Sequence, residues 1–240
     1  RWLGPYYGIR NVIHTFQNTE SPRRLAPIDI YIHFYSLQRQ DSAVALQDVV
    51  DWVLKQDVGF QWAGEYVRAV RDFRNARLYQ KGDGWELEND GSLPSLRWDQ
   101  SPGRWLDMQR SQGVLGFWTT SANVSYVHLD NSLRHQIYWT AQAPFQPLVL
   151  SSAVPIQQMA QGKGILNLTM STYPGQAGKL LLYWPYRGDV KLSVEQGRQH
   201  WDLGRASPQI MAFRGQRVSV LRWPFQSRWS GLVRLTAQAE

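Results

Sequence analysis

Apolar residues along positions 1–76 switch between two periods. Ile9, Val12, Ile13 and Phe16 fall at i, i+3, i+4 and i+7, which predicts one face of a helix. That helix has to stop by Ser21-Pro22, because the residue before a proline avoids the helical region. From Pro27 to Ser36 the period becomes two. Ile28, Ile30, Ile32 and Phe34 face one way and Asp29, Tyr31, His33 and Tyr35 the other, which predicts a strand over 28–35. Asp41 or Ser42 can cap a second helix, with the stripe Leu46, Val49, Val50 and Val53. Gly59-Phe60-Gln61-Trp62-Ala63 reads as a short strand. A third helix follows, with Tyr66, Val70 and Phe73 expected inward and Arg68, Arg71 and Asp72 outward. Helix, strand, helix, strand, helix is the rhythm of a parallel sheet with crossover helices. Residues 1–76 are too few for eight such units, so they read as the terminal βα units of a (β/α) barrel.

After residue 76 the pattern shortens. An Asp83-Gly84 turn between alternating flanks marks a hairpin at Tyr79–Leu87. Turn signals recur at Gly91, Gly162, Gly164, Gly175, Gly188, Gly197 and Gly215. Between them lie β-like runs at Ser125–Leu129, Ile165–Ser171, Lys179–Trp184, Val190–Val194 and Val218–Leu221. This spacing predicts an antiparallel β-sandwich or jelly roll over 77–240, making the chain α/β plus all-β.

Composition adds limits. With 240 residues and 43% hydrophobic content, the chain can bury a core, and no apolar run reaches the length of a membrane helix. Membrane insertion is not expected. The first residues, Arg1-Trp2-Leu3, read as the start of a piece cut from a longer chain, with a mature, processed protein as the alternative. There is no cysteine, so no disulfide framework and no thiolate chemistry; this fits the periplasm or the outside of a bacterium. The net charge of +7 is uneven. Residues 1–100 balance at −1 and residues 101–240 at +8, with 21 arginines against 5 lysines in the whole chain. The basic residues are scattered rather than blocked. This favours a solvated surface or an acidic partner protein over nucleic acid.

The polar face of 28–35 carries the candidate chemistry. His33 lies near the C-terminal end of its predicted strand, where barrel sites are built. Beside Tyr31 and Tyr35 it can serve as a general acid or base, or sit as a satisfied structural ring; the pattern alone weighs the two equally. Asp29 reads as structural. Tyr6 and Tyr7, in Gly4-Pro5-Tyr6-Tyr7-Gly8, can stack on sugar rings from a βα loop or pack inward as a helix-start staple. Metal ligation has little support: His14, His33, His128, His135 and His200 form no short-spaced pair. Thr15-Phe16-Gln17-Asn18 has the outline of an acidic metal motif with amides where carboxylates are needed. In the β half, the aromatics of Trp184-Pro185-Tyr186-Arg187 and Trp223-Pro224-Phe225 would form a sugar platform if exposed, although most sandwich tryptophans are core.

The run from Gly4-Pro5-Tyr6-Tyr7-Gly8 through Thr19-Glu20-Ser21-Pro22-Arg23-Arg24-Leu25-Ala26-Pro27 to Ser36 resembles the C-terminal region of the Pel exopolysaccharide deacetylase/hydrolases. Glu65-Tyr66, Asp72-Phe73-Arg74, Ser111-Gln112-Gly113-Val114 and Tyr126-Val127-His128-Leu129 are similar as well. The resemblance implies a periplasmic multidomain protein with a metal-dependent esterase barrel and a C-terminal β-jelly roll. Such an esterase removes N-acetyl groups from an N-acetylgalactosamine-rich polymer. His33 then matches the late histidine that protonates the leaving amine, with Tyr6, Tyr7, Tyr31 and Tyr35 as the substrate-facing aromatics. The base and the divalent-metal ligands are expected in upstream sequence, outside this chain. The deacetylated product is cationic, so the +8 half is not expected to bind it; an acidic partner of the secretion machinery suits that half better. The alternative is a non-catalytic carbohydrate- or protein-binding module.

Overall fold

The computed structural model describes residues 5–19, 27–56, 61–213 and 215–239. The chain divides into two compact units, 1–58 and 59–240.

The first unit holds helices α1 (Pro5–Asn18) and α2 (Gln40–Leu54), with a 3-10 turn at Phe34–Gln38. Pro5 suits the first helical position, where its missing N–H costs nothing. The two helices pair through the predicted stripes. Phe16 stacks on Trp52 with ring centroids 6.1 Å apart, and Ala45, Val49 and Val53 are buried. Burying a valine or phenylalanine side chain contributes about 1.5–3 kcal/mol. Arg10 bridges to Asp48 at 2.6 Å on the exposed side.

The strand expected over 28–35 is not a strand. Residues 27–33 pair with no other segment among the described residues, and Phe34 already begins the 3-10 turn. The alternation survives: Ile28, Ile30 and Ile32 are half-buried, while Asp29, Tyr31 and His33 are exposed. Periodicity selects faces, but a strand also needs a hydrogen-bonding neighbour, and unit 1 supplies none among its described residues. Of the second expected strand, Gly59 and Phe60 lie outside the described residues. Gln61 and Trp62 are irregular, and Ala63 opens helix α3 (Ala63–Asn75).

The second unit starts at Gly59, so α3 belongs with the β-rich part rather than with the first two helices. Arg68 and Arg71 lie outward as expected, but the orientation departs from the expected one at Asp72, Val70 and Phe73. Asp72 is fully buried, whereas Phe73 is 71% exposed and Val70 also faces outward. The cause is a loop. Asp72 accepts hydrogen bonds from the backbone N–H groups of Asp90, Ser92 and Leu93 at 2.6–2.9 Å and from Asn89 Nδ2 at 3.0 Å.

The rest of the unit is antiparallel β-structure. A five-stranded sheet runs Ile156–Gly162, Ile165–Thr172, Gly231–Ala239, Val190–Gln196, Gln199–Ala206. A four-stranded sheet runs Gln209–Phe213, Gln216–Gln226, Ala177–Tyr183, Leu148–Ser152. One core lies between them: Leu166, Leu168, Leu192 and Leu235 of the larger sheet meet Val149, Leu180, Leu182 and Leu221 of the smaller. On the other side of the smaller sheet, Leu148, Leu150, Val218 and Val220 form a second core with Leu87, Phe117, Val127 and Ile137 from a third layer of short strands. The middle sheet is therefore covered on both faces, which explains the unbroken apolar run Leu148-Val149-Leu150.

Two details refine the expected hairpins and platforms. Lys81 pairs with Gly84, so the turn residues are Gly82 and Asp83 rather than Asp83 and Gly84. Gly82 takes φ 60°, a conformation glycine adopts without steric cost. Trp184 is fully buried in the first core, so it offers no sugar platform.

Candidate functional site

The predicted aromatic wall exists as a surface row. His33 is extended, with φ −81° and ψ 137°, and its carbonyl accepts the Ser36 N–H at 2.9 Å, which starts the 3-10 turn. Tyr31 meets His33 edge-on at 5.1 Å, and Tyr35 stacks on the imidazole at 5.0 Å with an interplanar angle of 11°. Tyr31 is 80% exposed, and His33 and Tyr35 are exposed too. Side chains two apart lie on one face of an extended chain, which puts Tyr31 beside His33 without a sheet, and the 3-10 turn brings Tyr35 onto the imidazole. Phe34, assigned by pattern to the apolar face, is 91% exposed because the backbone has turned. The row therefore presents two phenols and one imidazole to solvent. Tyr6 and Tyr7 fall in the first turn of α1, and their side chains lie outside the described ones.

No group of three or more His, Asp or Glu able to hold a metal ion occurs among the described residues.

Two histidines of the β part are tied into the interior. His135 is fully buried, with Nδ1 2.7 Å from the Gly113 carbonyl and Nε2 3.0 Å from Asn89 Oδ1. Since the Asn89 amide nitrogen donates to Asp72, its oxygen is the atom turned to His135. Asp72, Asn89 and His135 thus tie α3 to the strand Arg134–Ile137 in one buried chain of hydrogen bonds. His128 places Nε2 2.8 Å from the Leu150 carbonyl, and burial holds its ring below the ordinary imidazole value of 6.5. The neutral ring donates its Nε2 proton to that carbonyl.

The sign of the resulting pH effect follows from linkage. With the folded value depressed, the unfolded chain binds more protons below about pH 6.5, so stability falls as the pH drops through that window. Denaturant unfolding at pH 7.5 and 5.5 is expected to show this loss. The loss should be smaller in His128→Gln, which keeps a donor for Leu150 but does not titrate.

Sequence reasoning missed Asp72, Glu65 and Arg68 as interior or cleft residues because charged positions on a helix read as its solvent face. Set against known proteins, the chain matches no family model, no curated protein and no solved structure.

Proposed function

We propose that this chain contributes to a periplasmic polysaccharide N-deacetylase, as the closing part of its barrel followed by a β-sandwich. The observation that carries the reading is the segment 27–33. It keeps a half-buried isoleucine face and turns Tyr31 and His33 outward, with Tyr35 of the following 3-10 turn against the imidazole, yet it pairs with no described strand. A segment with that alternation is suited to be a barrel strand whose hydrogen-bonding neighbours come from sequence upstream of this chain.

In that setting His33 is the general acid. Hydrolysis of an N-acetyl group breaks the amide C–N bond, releases acetate, and leaves an amine that takes a proton from the imidazolium. Tyr31 and Tyr35 position the ring and present phenol faces to sugar C–H surfaces. The attacking water, its base and the divalent-metal ligands belong to the upstream sequence. An acidic partner protein of the secretion machinery is the assigned counterpart for the basic half, whose balance is +8. The substrate is an N-acetylgalactosamine-rich exopolysaccharide.

The test is an N-deacetylase assay on the full protein that carries these residues, with and without added divalent metal, comparing His33→Ala. General-acid removal is expected to lower turnover about 10²-fold or more while polymer binding persists. Unchanged turnover in His33→Ala overturns the reading and leaves a non-catalytic binding module.

A further inference from the structure

We propose that a cleft in the second unit, beside the start of α3, is a saccharide-binding site. The cleft has a volume of about 460 Å³, in the range of small-molecule sites. Its floor is apolar, with Leu115 and Val149, and polar groups converge on it from separate elements. Glu65 and Arg68 come from α3, His128 from the strand Ser125–Leu129, and Asp130 from the loop after it.

The chemistry of these groups selects the ligand class. His128 is neutral and its Nε2 proton is committed to Leu150, so Nδ1 is an acceptor with no partner among the described residues. Asp130 is held in place by the Ser132 N–H on Oδ1 at 2.9 Å, leaving its second oxygen to accept. Arg68 lines the same cleft as a donor. Hydroxyl groups, which both donate and accept, satisfy all three together. A phosphate or a sulfated polymer faces two carboxylates here, and a polyamine meets the guanidinium.

An aromatic platform completes the case. Trp62 is 62% exposed and rests edge-on against Tyr173, with centroids 5.1 Å apart. The Tyr173 hydroxyl donates to Glu65 Oε2 at 2.7 Å, and the same oxygen accepts the Trp62 backbone N–H at 3.4 Å. The indole is therefore held beside a cleft residue rather than buried. A large ring kept in that position offers the apolar faces of a sugar a stacking surface. None of these residues belongs to the His33 row, so the site stands apart from the deacetylase reading.

The experiment titrates the ¹⁵N-labelled chain with a panel of neutral tetrasaccharides of glucose, mannose and N-acetylglucosamine, following the indole N–H signals and binding heat. The expected result is saturable binding that shifts the Trp62 signal. Trp62→Ala and Arg68→Ala, each verified as folded by circular dichroism, should weaken binding about tenfold or more. The proposal is overturned if no panel member binds saturably at millimolar concentration, or if binding survives both cleft variants. Binding of heparin with none of the neutral sugars overturns it as well.

Discussion

Asp72→Ala should lower the unfolding free energy by about 3–5 kcal/mol, a large share of the stability of an ordinary domain. The carboxylate is fully buried and accepts four hydrogen bonds, three of them from the backbone at Asp90, Ser92 and Leu93. Truncation strands those donors away from water, and each unsatisfied group costs about 1–3 kcal/mol before relaxation. The damage should spread along the hydrogen-bond chain. Asn89 loses the partner that orients its amide, and His135 in turn loses a defined acceptor. Asp72→Asn preserves volume but turns an amide N–H₂ toward backbone donors, so an intermediate loss is expected. Urea unfolding followed by tryptophan fluorescence measures both. Hydrogen exchange should show the 89–93 loop opening first in the alanine variant. A change under about 1 kcal/mol for Asp72→Ala would refute the anchoring role.

Gly116→Ala should destabilise the β unit by about 3 kcal/mol or more, or prevent its folding. Gly116 has φ 152°, and a Cβ built there lies 2.1 Å from the Val149 carbonyl oxygen and 2.7 Å from its nitrogen. The obstacle is backbone of the middle sheet, not the tip of a flexible side chain. Relief requires moving Leu148-Val149-Leu150, whose side chains belong to both cores. Gly197→Ala is the control. Its φ is 59°, but nothing lies within 4 Å of an added Cβ, so only the conformational cost of about 1 kcal/mol is expected. Thermal unfolding of the two variants side by side separates packing from backbone preference. Equal losses would show that the approach of Gly116 to Val149 is not what constrains that position.

Much of the fold was legible in the pattern of residues. Ile9, Val12, Ile13 and Phe16 announced α1, and the stripe from Leu46 to Val53 announced α2, because helix periodicity is a local property. The β runs after residue 76 were legible too, Ser125–Leu129 to the residue. Turns with glycine at positive φ separate them, as at Gly164 and Gly197. The candidate row was legible in part. Tyr31 and His33 share a face by a period of two and meet edge-on, while the 3-10 turn stacks Tyr35 on the imidazole.

What the sequence determined by itself, then, is which residues share a face and where the chain turns. These depend on the 3.6- and 2-residue periods and on backbone sterics within a few residues. Only the tertiary structure decided which face found a partner. Residues 27–33 have strand alternation but no ladder among the described residues, since pairing requires a second segment. Helix α3 turned Asp72 inward and Phe73 outward because a loop some twenty residues later offered four donors to the carboxylate. The cleft that joins Arg68 to His128 and Asp130 likewise arose from segments distant in the chain. Long-range hydrogen bonding and packing set those positions, because the donors that satisfy Asp72 and the strands that line the cleft lie outside the few residues a local period spans.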